Sequence, residues 1–120
     1  MLIRSQDKRM IVNFDNICTV SAFPEKESED IYVEDGTGSL IVGRYSTKAK
    51  AMKVLNMIQE AYADFEASKI TNAGLATAAY TGSYKTPDSV SVGIKVLKGY
   101  AEMVKESLVF QMPEDSEVEV

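Results

Sequence analysis

Histidine is absent from this 120-residue chain, cysteine occurs once, at Cys18, and proline only three times. Without histidine the chain has no use of the commonest general base, of most nucleophile–base pairs, or of the commonest ligand for zinc, copper and iron. Cys18 has no thiol partner and no histidine to activate it, so it reads as an inert strand thiol and argues against a secreted disulfide scaffold. No apolar run approaches the roughly 20 residues that a membrane-crossing helix needs. The opening MLIRSQDKR reaches Arg4 and Gln6 before any apolar stretch, so no secretory signal peptide is expected. A net charge of −5 disfavours general nucleic-acid binding, which needs surplus Lys and Arg to neutralise phosphates. What remains is a composition 45% hydrophobic and 26% charged, that of a globular, cytoplasmic protein without membrane contact. A chain this long buries roughly two-thirds of its unfolded surface and folds without metal or disulfide.

The strongest pattern present runs from Tyr45 to Phe65. Ala51, Val54, Leu55, Ile58, Tyr62 and Phe65 fall at the spacing that lines one face of a helix, with Ser46 and Thr47 as candidate N-caps. A helix over Ser46–Ala67 is expected, laid on the β-rich segments before it. Those segments are Leu2–Ser5, Met10–Phe14, Ile17–Ala22, Ile31–Glu34 and Ser39–Tyr45. Gln6 to Arg9 reads as a hairpin connection, Asp15 and Asn16 as a turn, and Asp35-Gly36 as a tight hairpin turn. Pro24–Asp30 is a solvated acidic loop. Part of Leu75–Tyr80 is expected to be helical. A second helix starts at Thr86-Pro87-Asp88 and runs to Glu106 on a stripe of Val90, Ile94, Leu97, Ala101 and Val104. Leu108–Met112 reads as a last strand, and the acidic residues 114–120 as a frayed tail. The expected fold is α+β: an antiparallel meander of four to five strands packed by one long amphipathic helix, a second helix and a C-terminal strand, in a single domain over residues 1–113.

Few constellations carry chemistry. Asp35-Gly36-Thr37-Gly38 matches neither phosphate-loop spacing and is followed by a strand, so it is a turn. Glu25, Glu27, Glu29 and Asp30 lack the order of a calcium loop. No catalytic residue, metal ligand or cofactor site is expected. One charge feature stands out: no acid occurs between Asp35 and Glu60, while Arg44, Lys48, Lys50 and Lys53 gather at the start of the first helix. Cations there oppose the helix macrodipole. With the backbone amides they make a candidate site for a phosphate, a nucleic-acid backbone or an acidic segment, including the chain's own acidic tail. The plain alternative is a solvated face. Met52 and Met57 fall off the first apolar stripe, and Met103 off the second; with Tyr100 they form a candidate interaction surface unless helix packs on helix and covers them.

Three segments together resemble a family of small uncharacterised proteins of Gram-positive bacteria and their phages. They are the opening LIRSQDK with Val12-Asn13-Phe14-Asp15-Asn16-Ile17, the helix start Tyr45-Ser46-Thr47-Lys48, and the closing Val109-Phe110-Gln111-Met112-Pro113. The resemblance implies a compact intracellular α+β domain and no particular activity. The expected function is a non-enzymatic protein–protein interaction or structural module, self-associating or bound to a protein partner. The alternatives are an anion-binding module at the basic helix start and, with no spacing to support it, an enzyme using carboxylate or tyrosine chemistry.

Overall fold

The computed structural model describes residues 1–17, 19–22, 29–81 and 87–120, and the side chains within these other than 72–81, 87–94, 96 and 97. Cys18, most of the acidic loop with Glu25 and Glu27, and the Thr86 cap lie outside the described residues. The chain divides into two compact units, Met1–Tyr62 with Val109–Val120, and Ala63–Leu108.

The first unit begins with a hairpin of β1 (Leu2–Arg4) and β2 (Ile11–Asn13). Its polar connection folds on itself: the Ser5 amide donates to Met10 O at 2.9 Å, and the Ser5 hydroxyl donates to Asp7 Oδ1 at 2.5 Å. Asp7 Oδ1 also accepts from the Arg9 amide, and Lys8 adopts a positive φ of 64°. Asn13 then ends the strand by accepting from the Asp15 amide at 3.1 Å, which caps a single 3-10 turn over Phe14–Asn16. That turn separates β1 and β2 from β3 (Thr19–Ala22), β4 (Glu29–Glu34) and β5 (Ser39–Tyr45).

The architecture is α+β as expected, and among the described residues these five strands and a sixth near the C-terminus form two sheets of three strands each. One is the antiparallel meander β3-β4-β5. The other has the order β2-β1-β6, with β6 (Val109–Gln111) parallel to β1. The β4–β5 turn is the expected Asp-Gly hairpin, with Gly36 at φ 91°. Glu29 and Asp30, expected in the acidic loop, belong to β4, where Asp30 is buried and its Oδ2 accepts from the Tyr32 hydroxyl. Register slips between Ile31 and Tyr32, which leaves Val42 as an extra residue on β5. The bulge frees the Val42 carbonyl from the ladder, and it accepts instead from the Gln6 amide at 2.8 Å.

Helix α1 (Lys48–Thr81) is 34 residues long and passes from the first unit into the second. Its start is the expected one, since Thr47 Oγ1 accepts from the Lys50 amide at 3.2 Å. Ala51, Val54 and Ile58 are buried, and the long helix packs against the sheets with this stripe. Met1, Ile3, Ile31, Val33, Val42, Tyr45, Met112 and Val118 are buried with them. The Phe14 and Tyr62 rings meet with centroids 4.9 Å apart. The helix does not stop near Ala67 as expected: the stretch beyond is rich in alanine, the best helix former, so propensity carries the helix where periodicity fades.

The second unit comprises the rest of α1 and α2 (Pro87–Leu108). Phe65 is buried, with Lys69 Nζ 4.6 Å from its ring centroid and 3.2 Å from Glu66 Oε1. Of the expected α2 stripe, Val104 is half-buried and Ala101 exposed. Helix α2 continues to Leu108, and β6 follows at Val109 with no residue between them.

Candidate functional site

The residues after β6 are not frayed. Met112 and Val118 are buried, and Asp115–Glu117 forms a 3-10 turn closed by Glu117 Oε2, which accepts from the Glu114 amide at 2.8 Å. The segment is tied to the opening of the chain. The Met112 amide donates to Arg4 O at 3.0 Å, and Gln111 Nε2 to Ser5 O at 3.0 Å. Gln6 clasps β5: its Oε1 accepts from the Arg44 amide at 2.9 Å, while its Nε2 donates to Arg44 O at 3.0 Å and Pro113 O at 3.2 Å. The Tyr45 hydroxyl donates to the same Pro113 carbonyl at 3.0 Å. The opening, helix-start and closing segments thus meet in one place.

At that meeting point Asp115 sits beside the start of α1. Its carboxylate accepts from the Ser46 amide at 2.7 Å, from the Ser46 hydroxyl at 3.0 Å to either oxygen, and from Lys50 Nζ at 3.2 Å. Lys50 also donates to Asp115 O at 2.8 Å, and Lys53 Nζ donates to Glu119 O. The Ser46 amide holds the Asp115 carboxyl below its ordinary value, with Lys50 and the Ser46 hydroxyl acting in the same direction. Burial pushes the Tyr45 phenol well up, and the negative charges of Asp115, Glu114 and Glu117 push it further.

Of the four cations in the candidate anion site, Lys50 and Lys53 are therefore engaged by the C-terminal segment, while the Arg44 and Lys48 side chains are exposed. The structure seats a carboxylate of the chain's own acidic tail at the candidate anion site. Asp115 lies 65 residues from Lys50 and cannot be paired with it by local spacing. The weighing of the acidic tail as the anion is the one sequence signal that leads to it. Gln6 and Tyr45, which fasten the segment, carry no such signal beyond their place in the opening LIRSQDK and in Tyr45-Ser46-Thr47-Lys48.

The four residues of the candidate interaction surface divide between the units. Met52 is exposed and Met57 half-buried in the first unit. Tyr100 and Met103 come together in the second, lining a cleft of about 380 Å³ with Asp64, Ala67, Ser68, Thr71 and Val104. Met103 is 61% exposed there, and Ile70 on α1 is 75% exposed.

At the β4–β5 turn, Asp35 Oδ1 accepts from the Thr37 hydroxyl at 2.6 Å and from the Thr37 and Gly38 amides at 2.9 and 3.2 Å. The amides a phosphate would use are taken by the turn's own carboxylate, which these bonds hold below its ordinary value. Among the described residues no cluster of His, Cys, Asp and Glu is arranged to hold a metal, and no helix is long and apolar enough to cross a membrane. Comparison of the chain with protein-family models, with curated proteins and with solved structures finds no match.

Proposed function

We propose that the protein is a non-enzymatic protein–protein interaction module, cytoplasmic in a bacterium or its phage, which acts by contact and self-associates or binds a protein partner. The observation that supports this most is the second-unit cleft, where a largely exposed Met103 stands with Tyr100 and Val104 around a volume that takes one or two apolar side chains. A flexible thioether next to an aromatic edge is an adaptable contact surface, and an amphipathic helix of a partner supplies the side chains to fill it. The test compares the wild-type chain with Met103→Glu and Ile70→Glu by sedimentation velocity over a wide concentration range, and by recovery of partners from host cells. The glutamate variants are expected to associate less strongly than wild type and to recover less partner. A wild-type chain that stays monomeric and recovers no partner, or association that ignores both substitutions, overturns the reading.

The seated Asp115 carboxylate favours a second reading, in which the helix start is an anion site for a phosphate, a nucleic-acid backbone or an acidic peptide. An external anion would enter by displacing Asp115, with Arg44, Lys48, Lys50 and Lys53 as its cations. Charge reversal of Lys50 and Lys53 should then abolish binding of phosphate ligands and acidic peptides; unchanged binding removes this alternative.

A further inference from the structure

The segment Val109–Val120 is packed as a docked ligand is packed. It adds a strand to the free side of β1, buries Met112 and Val118, and places a carboxylate on Ser46 and Lys50. All these partners lie in residues 1–62, yet the chain reaches the segment only through residues 63–108 of the other unit. Strand β6 is three residues long, sits at a sheet edge, and pairs in the parallel sense, which is slightly weaker per residue than antiparallel pairing. Its junction with α2 has no loop, and a hinge that short favours exchange of the element it carries over closure on its own chain.

We propose that Val109–Val120 is an exchangeable element through which two copies of this chain complete each other, Asp115 of each copy seating on Ser46 and Lys50 of the other. A swapped pair makes the same contacts as the closed monomer, so connection and concentration alone decide between them. The inference rests on the first unit and stands apart from the second-unit cleft: Met103→Glu leaves the exchange intact.

The experiment mixes unlabelled and isotope-labelled full-length chains, unfolds and refolds them together at rising concentration, and treats them with a zero-length carbodiimide coupler. The coupler joins Lys50 to Asp115 because Nζ and Oδ2 lie 3.2 Å apart. Cross-linked Lys50–Asp115 peptides carrying one labelled and one unlabelled half are expected, in a share that rises with concentration. Peptides of a single isotope at every concentration overturn the proposal. A second measurement uses Lys50→Glu and Asp115→Lys, each of which sets like charges together within its own chain. Mixed, the two variants regain one native and one reversed pair only by exchange, so native mass spectrometry should show a heterodimer exceeding the association of either variant alone. A mixture no more associated than its components overturns the proposal. The double variant, with both changes in one chain, should recover thermal stability towards wild type.

Discussion

Gly43 offers a test in which the sign of the effect is informative. Replacing a strand glycine by alanine ordinarily stabilises by about 0.4–1 kcal/mol, because the unfolded chain loses freedom. At Gly43 the added Cβ would lie 2.9 Å from the Met112 terminal methyl and 3.0 Å from both Cε2 and the hydroxyl oxygen of Tyr45. Carbon contacts are most favourable near roughly 3.5–4.0 Å, so something must shift. Neither neighbour moves freely: Met112 is 1% exposed, and the Tyr45 ring is tethered through its hydroxyl to Pro113. Overpacking of this kind destabilises by about 1–3 kcal/mol, so Gly43→Ala should lower stability where a free strand glycine would raise it. Met112→Ala alone should remove about 2–5 kcal/mol by leaving a cavity. In the double variant the new methyl enters the space that Met112 vacates, and the combined loss should fall short of the sum by about 1 kcal/mol, as for residues in contact. Urea unfolding followed by circular dichroism gives the midpoints, compared at equal slope, and amide exchange along β5 confines the readout to the first unit. Additivity within about 0.5 kcal/mol, or a Gly43→Ala variant more stable than wild type, would refute the packing argued here.

Three further outcomes are expected. Thr47→Ala removes the oxygen that caps the Lys50 amide and should cost about 1 kcal/mol, measured by urea unfolding, while Thr47→Ser should cost little. The Asp115 carboxyl should titrate below the ordinary aspartate value of 3.8 in a carboxyl-carbon NMR experiment. Because its folded value is depressed, its stabilising share is present above 3.8 and lost as pH falls through the folded value, so Asp115→Asn should show a shallower acid-side decline in melting temperature. The Tyr45 phenol has the opposite sign: its raised value means that its share of stability is intact below the ordinary tyrosine value of 10.0 and declines as pH rises beyond it. Ultraviolet titration should find a tyrosine that ionises only above the ordinary range, and Tyr45→Phe should abolish that late step and weaken the first unit by about 1 kcal/mol through the lost bond to Pro113.

What was legible in the residues was local. The connection between Gln6 and Arg9, the Asp35-Gly36 turn and the Thr47 cap each depend on a side chain reaching backbone within a few positions, so composition and spacing suffice. The stripe of Ala51, Val54 and Ile58 was readable because one face of α1 meets a core throughout the first unit. Beyond Phe65 the apolar period dissolves into alanine and threonine, and a reader of periodicity stops the helix where propensity continues it to Thr81. The division of the strands into two sheets turns on the parallel pairing of β1 with β6, between residues more than a hundred positions apart, which no short-range pattern announces. Of the candidate interaction surface, the residues were identifiable as apolar and off the stripe; that Tyr100 and Met103 share a cleft while Met52 and Met57 lie in the other unit follows only from the fold.

The tail was misread for a reason that also accounts for the basic helix start. Seven residues with four acids read as solvated when counted alone, just as Lys48, Lys50 and Lys53 read as misplaced at a helix end whose partial charge is already positive. Each half of this pattern is unfavourable by itself, and each supplies what the other lacks. The Asp115 carboxylate brings to the first turn of α1 the negative charge that the intervening sequence from Asp35 to Glu60 withholds, and takes the Ser46 amide as a donor. Lys50 and Lys53 in turn satisfy the carbonyls of Asp115 and Glu119, so the C-terminal segment is held to α1 with only a single 3-10 turn beyond β6. A charge layout that opposes the macrodipole locally is thus a long-range pairing instruction. The same instruction is indifferent to whether the acid comes from the same copy or another, and this gives the C-terminal segment its capacity to act between chains.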